Sequence, residues 1–239
     1  MKGTLVSLDQ CSPADYERLA KWLAAESSWY ASGRPKLISA EDLRNENQHG
    51  DTHFMMVVEN SSKRRVGVVT WTRKEEYEGS YSIGTGVGEK DQFNHGYAAE
   101  GGLLLLVYLF HAMNAHRVEL LYGLYNKNVV PILAQWGVTV EGVLRDYFFL
   151  DGEYHDAVLC SILRDEFYRG IAAAGLSDML DSIPRREKEE ARALIGDLLA
   201  KIPGGRPADL VARPRPAGPV HHDTGQDRER APERAAGAK

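Results

Sequence analysis

Two cysteines, Cys11 and Cys160, are all that the 239 residues contain. One pair cannot build the multi-bridge framework of a small secreted domain, so both read as packed thiols in a reducing compartment. Long apolar runs are missing as well. The longest, residues 103–110, is far short of the roughly 20 needed to span a bilayer. The opening MKGTLVSLDQ lacks the basic-then-apolar layout of a secretion signal. Excess positive charge is absent too: the formal net charge is -5, which argues against a broad nucleic-acid footprint, because such affinity comes from neutralised phosphates. No internal repeat is evident. From Ile202 onward large apolar residues almost vanish in favour of Pro, Arg, Ala and Gly, a composition that does not repay the entropy of ordering and reads as disordered. His221 and His222 lie in that tail with too few companions to hold a metal, and no metal site is expected. These absences leave a cytoplasmic protein with no membrane partner and a sizeable core, 43% of the chain being hydrophobic.

What is present alternates between strand and helix signals. Residues 3–8 read as a short strand. Ser12 offers an N-cap and Pro13 a first helical position, with Tyr16, Leu19, Ala20, Leu23 and Ala24 on one helical face. Residues 26–36 read as a loop whose aromatics, Trp29 and Tyr30, either plug the core edge or line a substrate pocket. Ser39 caps a short polar helix over residues 40–47. HFMMVVEN and RVGVVTWT make a hairpin, and its basic tip, Lys63, Arg64 and Arg65, reads as a solvated turn. A third strand covers residues 81–88, and a helix over 97–114, apolar almost all round, has to be buried.

A fourth strand follows at 117–124, then a short helix stopped by Gly137, with Pro131 in its first turn or as a kink. Two last strands, 140–149 and 157–163, are joined by the turn signal Asp151-Gly152. The chain thus divides into a domain over 1–164, a charged helical extension over 165–201 with Leu194, Ile195, Leu198 and Leu199 as a packing stripe, and a tail over 202–239.

The chemistry concentrates in residues 82–102, SIGTGVGEKDQFNHGYAAEGG, ahead of the run LLLLVYLF. Alternating glycines expose strand backbone to a ligand. The loop then opens a helix, where outward N–H groups and the helix dipole make an anion site. Gly96 lets that backbone approach a phosphate, and Ala98 and Ala99 begin the helix without bulk.

In order and motif the chain resembles the GNAT (GCN5-related N-acetyltransferase) superfamily, in its branch of ribosomal-protein and spermidine N-acetyltransferases. The likeness covers residues 2–163. It rests on the KG-x-LV-x-L opening at 2–8, the glycine-alternating strand, and a loop of the form R/Q-x-x-G-x-G/A at 93–98 with Glu100 beyond it. It rests also on Asn126, on Gly137-Val138 where a GF pair is usual, on EG-x-LR at 141–145 and on the DG-x-x-x-D turn at 151–156. The resemblance implies an α/β (α+β) fold: a mixed, mostly antiparallel sheet splayed at its centre, with flanking helices. It implies acetyl-CoA as acyl donor, with pantetheine pairing along Gly86, Val87 and Gly88. The coenzyme loop would be Phe93, Asn94, His95, Gly96, Tyr97 and Ala98, and Asn126 would orient coenzyme or water.

The chain also departs from the pattern. Phe93 replaces a polar anchor, and Asn94-His95 replace the usual Gly-Lys, removing a phosphate-pairing cation worth about 1 kcal/mol at a partly exposed site. Leu133 stands where many relatives carry a tyrosine that protonates the departing thiolate. Direct attack by an amine needs positioning, a polarised carbonyl, a base and an acid. Candidate bases are Glu89, Thr85 through water, and Asp156, which also lies on the acceptor side; Tyr125 is a substitute acid. Three functions follow: an N-acyltransferase acting on a primary amine of a small molecule or protein terminus, an amide-forming transferase using another donor such as an aminoacyl-tRNA, or a non-catalytic coenzyme binder. Partners would be the amine acceptor and a second copy as a homodimer, the charged helix after Arg164 either mediating dimerisation or capping the sheet.

Overall fold

The β-branched and aromatic runs assemble into one sheet in a computed structural model that describes residues 1–25, 37–74, 79–93, 95–177 and 180–201. The chain runs β1 (Val6–Gln10), α1 (Pro13–Ala24), α2 (Ala40–His49), β2 (Thr52–Glu59), β3 (Arg65–Arg73) and β4 (Ser80–Val87). A 3-10 turn (Lys90–Gln92) leads to α3 (Tyr97–Val107), which widens into a π turn (Tyr108–Ala112). Then follow β5 (Arg117–Gly123), α4 (Val130–Trp136), β6 (Thr139–Leu150), β7 (Glu153–Leu163), α5 (Arg164–Ala173) and α6 (Arg185–Ala200).

Among the described residues seven strands form a single sheet in the order β1-β2-β3-β4-β5-β7-β6. Every neighbouring pair is antiparallel except β4 with β5. That parallel ladder joins only Ser80–Ile83 to Arg117–Leu120 in register. Residues 84–87 and 121–123 continue as strand without pairing to each other, so the sheet opens at its centre. The expected splay is there.

Two cores flank the sheet. On one face Leu104, Leu105 and Leu106 of α3, with Leu109 and Phe110, pack on Val57, Val69, Val118 and Ile162. On the other, Tyr16, Leu19 and Trp22 of α1 and Leu43 of α2 pack on Met56 and Val58. Strand alternation explains why Val57 serves one core while its neighbours serve the other. Pro131 falls in the first turn of α4 and does not kink it, and Gly137 ends that helix at φ 63.

Several boundaries differ from expectation for physical reasons. β1 starts at Val6, not residue 3, because Thr4, Leu5 and Val6 donate their N–H groups to the Glu100 carboxylate at 2.7, 2.7 and 2.8 Å. The long central helix stops being α-helical at Val107, and Arg164 Nη1 takes the Phe110 and Ala115 carbonyls at 2.8 and 3.0 Å. β7 begins at Glu153 because the turn Asp151-Gly152, with φ 55 and 86, lets Leu150 pair Glu153 at once. Arg65 is no part of a solvated tip: it lies in β3, pairing Asp9 at 3.0 Å and Asp15 at 3.3 Å.

The chain parts into two compact units, Met1–Ser182 and one that begins at Ile183. α5 belongs to the first rather than to a separate extension, because Phe167 and Ile171 are buried in the main core and Phe167 stacks on Phe110 with ring centroids 4.7 Å apart. The described part of the second is α6, which buries no residue, leaves Leu194, Ile195 and Leu198 exposed, and carries the pairs Arg185–Glu189 and Arg186–Glu190. No described helix is long and apolar enough to cross a membrane.

Candidate active site

β4 directs successive peptide groups to opposite edges. Gly88 donates its N–H to Val66 O at 3.0 Å, and the pairs Val68–Gly86 and Thr70–Gly84 fall in step with that bond. The glycines of β4 therefore spend their backbone on β3. The groups facing the open centre are those of Thr85 and Val87, beyond the end of the β4–β5 ladder. Of the stretch 86–88, Val87 is the residue placed to bond something in the gap.

The three glycines are not equivalent. A Cβ on Gly88 would overlap the indole of Trp22, so this position is small to let α1 close on the sheet. A Cβ on Gly84 would meet Thr70 Oγ1 at 2.8 Å. On Gly86 it would meet, among the described residues, Val68 Cγ1 at an ordinary 3.7 Å. Gly86 alone is thus open ground for a ligand. On the opposite face, a Cβ on Gly102 of α3 would overlap Trp136 of α4 and stand 3.0 Å from Thr85 Cγ2. Trp136 thereby walls the open half of β4.

The loop beyond β4 has the geometry of an anion site. Gly96 takes φ 80 as N-cap of α3, and Glu100 N donates to its carbonyl at 3.0 Å. The N–H groups of the first turn are the free donors there. Phe93 is half-buried, His95 exposed and Ala98 half-buried; His95 stacks on Tyr97 at 5.5 Å. Asn94 lies outside the described residues, as do Trp29 and Tyr30. The Tyr97 hydroxyl donates to Glu59 Oε1 at 2.6 Å. That bond raises the phenol above its ordinary value, while bonds from Ser62 first and then Tyr97 hold Glu59 below the usual range. Glu100, expected here from motif alone, accepts the three β1-side N–H groups and so ties the chain's start to α3.

At the end of β5 an open cavity of about 380 Å³ is lined by Leu124, Tyr125, Tyr154, His155 and Asp156. It brings together two residues proposed from sequence, Tyr125 and Asp156. Tyr125 packs edge-on against His155 at 5.2 Å and Phe148 at 6.4 Å. Asp156 Oδ1 accepts the Asp146 N–H at 2.9 Å, and His155 Nε2 stands 3.3 Å from Leu150 O. Asn126, buried, turns the chain into α4: its Oδ1 accepts Asn128 N–H at 3.2 Å and its N–H donates to Gly123 O at 2.9 Å. Glu89 is exposed past the end of β4 and accepts the Trp22 indole N–H at 3.2 Å. Leu133 is a core side chain, 6% exposed.

Neither thiol is poised as a nucleophile. Burial first, then Asp15 and against Arg65, pushes Cys11 up to about 12, and burial raises Cys160 as well. Tyr122, on the open half of β5, is likewise pushed up to about 12 by burial and by Cys160, and stays protonated. Among the described residues no group of three or more His, Cys, Asp or Glu side chains could hold a metal ion.

Trp22, Trp136 and His155 escaped sequence reasoning. Each is an aromatic in a segment with an ordinary amphipathic or alternating pattern, and only tertiary contact shows what it faces.

Comparison with known proteins bears on the family and the fold. The family model described as acetyltransferase (GNAT) domain matches residues 6–139. The chain is similar to the spermidine N(1)-acetyltransferase of Vibrio cholerae, 25% identical over 141 residues that are 59% of this chain and 81% of that one. It is also similar to the [ribosomal protein uS5]-alanine N-acetyltransferase of Escherichia coli, 24% identical over 147 residues, 61% of this chain and 74% of that one. Among solved structures, spermidine N-acetyltransferase from Vibrio cholerae in complex with CoA and spermine superposes with TM-score 0.63 at 18% identity, covering 70% of this chain and 99% of that one. Mycobacterium smegmatis RimJ in complex with CoA-disulfide gives 0.59 at 22% identity, covering 71% and 89%. At these identities the superpositions speak for the fold.

Proposed function

The chain belongs to the GNAT acetyltransferase family, and from that premise we propose that its central gap holds an acyl-CoA, acetyl-CoA first, and that the acyl group passes to a primary amine in the cavity at the end of β5. One observation carries the reading: the β4–β5 ladder stops at Ile83 and Leu120, leaving β4 backbone unpaired beside an open Gly86 and just before the Gly96 anion loop. An acyl-CoA supplies an activated thioester carbonyl there. In the net reaction the amine nitrogen bonds the carbonyl carbon, the carbon–sulfur bond breaks, the amine loses a proton and the thiolate gains one.

The chain's own groups divide that work. The Val87 N–H faces the gap as the donor that polarises the carbonyl. The N–H groups of residues 95–98 hold the pyrophosphate, aided by the positive end of α3. Asn126, its Oδ1 fixed on Asn128, presents its amide N–H to coenzyme or water. Tyr125, in the cavity, is the acid in place of Leu133, since a leucine has no proton to give. Glu89 and Asp156 are the carboxylates that take the amine proton, through water. Two tyrosines, His155 and Asp156 around the cavity suit a cationic amine, by ring faces and by charge.

The test is thiol release from acetyl-CoA against a panel of polyamines, amino sugars and peptides with free termini. The reading expects release with at least one amine and a fall in kcat for Tyr125→Phe. Saturable binding of acetyl-CoA with no turnover on any amine would instead make the chain a coenzyme binder, and no binding at all would end the proposal.

A further inference from the structure

The basic tip of the β2–β3 hairpin is left unused by the chemistry above. β3 runs antiparallel to β4, with Gly67 opposite Val87, so the turn that opens β3 lies beside the end of β4, where the anion loop begins. Contacts on both sides of that loop confirm the placement. Arg64 Nη2 stands 3.8 Å from Asp91 Oδ2, two residues before Phe93. From the other end of the turn, Glu59 holds the hydroxyl of Tyr97, the first residue of α3. The tip is itself well fixed. Lys63 adopts φ 61 and donates its N–H to Glu59 O at 2.9 Å; Arg64 N donates to Ser62 Oγ at 3.2 Å, and the Ser62 hydroxyl bonds Glu59.

The charges around the loop are unequal in their commitments. Arg65 is held by Asp9 and Asp15, and the Glu59 and Glu100 carboxylates are occupied by hydrogen-bond donors. Among the described residues the ion pair of Arg64 is a loose one with Asp91, in which both side chains are more than half exposed, at 57% and 66%. Such a pair is worth little in water. A phosphate is a better partner, because it carries more charge and matches the planar guanidinium fork with two parallel bonds. Residues 93–98 hold neither lysine nor arginine, and the lysine ahead of them, Lys90, opens the 3-10 turn before Phe93.

We propose that Arg64, with Lys63 next to it on the same turn, supplies from across the sheet the phosphate-pairing cation that this chain's coenzyme loop lacks. The proposal rests on the acyl-CoA reading. It assigns Arg64 to a coenzyme phosphate, either the pyrophosphate or the 3′-phosphate, and makes Asp91 the group it leaves on binding.

Calorimetric titration of acetyl-CoA into the full chain and into Arg64→Ala, at about 50 and about 200 mM salt, tests it. The expected result is about five-fold weaker binding for Arg64→Ala at low salt, with the gap narrowing at high salt and the melting temperature unchanged. Repeating the titration with 3′-dephospho-acetyl-CoA assigns the phosphate: a deficit that disappears marks the 3′-phosphate, and one that persists marks the pyrophosphate. Equal affinity of wild type and Arg64→Ala overturns the proposal, as does a deficit independent of salt. If the wild type binds no acetyl-CoA, it is the acyl-CoA reading that falls.

Discussion

Gly86 and Gly88 sit two residues apart in one strand and do different jobs. Gly88 is small because Trp22 occupies the space of a side chain, whereas Gly86 has only Val68 nearby. Gly88→Ala should therefore cost stability, about 1–3 kcal/mol by overpacking, read as a lower urea midpoint with an unchanged slope. Gly86→Ala should leave the unfolding free energy within about 0.5 kcal/mol apart from the loss of a flexible residue in the unfolded chain. The same contrast limits what a glycine pattern says. Sequence shows the alternation at 84, 86 and 88; it does not show which glycine serves a ligand and which a neighbouring indole, since Trp22 lies 66 residues upstream of Gly88.

At the scale of elements, local signals were legible and long-range pairings were not. Ser12 before Pro13, Ser39 before Ala40, Gly137 after Trp136 and Asp151-Gly152 each act within a turn or two of backbone, and each marks a boundary that the structure keeps. Where the β4–β5 ladder ends is a different kind of fact. It depends on two strands separated by α3, and no residue in either announces it. The Arg65 ion pairs were hidden for the same reason, because Asp9 and Asp15 come from β1 and α1.

Those pairs carry a pH prediction. Burial works against ionisation of Asp15, but the Ser12 backbone and hydroxyl bonds and the Arg65 charge outweigh it and lower the carboxyl below its ordinary 3.8. A carboxyl lowered in the folded state adds stability above its unfolded value and loses it as pH falls through the folded one. Stability of the wild type should thus decline below about pH 4. Asp15→Asn should be less stable at pH 7 by about 1 kcal/mol, as for a lost helix cap, and should show a shallower acid decline. A variant with the same acid slope as wild type would show that Asp15 is not a source of it.

Among the described residues the first compact unit, Met1–Ser182, is one sheet clasped by two cores, and the second unit begins at Ile183. Because Phe167 and Ile171 are core residues, the chain 1–182 should fold with a melting temperature close to that of the full chain. The chain 1–163 should lose on the order of 5 kcal/mol, as for deletion of large buried side chains. Circular dichroism melts of the two truncations decide this.

The gap at the centre of the sheet is the claim on which the functional account stands. Gly86→Val places a strand-compatible side chain where the structure has only Val68 nearby, so the fold should persist while the coenzyme site is obstructed. Calorimetric titration of acetyl-CoA into wild type and Gly86→Val, with melting temperatures taken alongside, is the most direct measurement. The account predicts one saturable site per wild-type chain and at least about ten-fold weaker binding by Gly86→Val, about 1.4 kcal/mol, at an unchanged melting temperature. Equal affinity of the two proteins, or no binding by either, would contradict it.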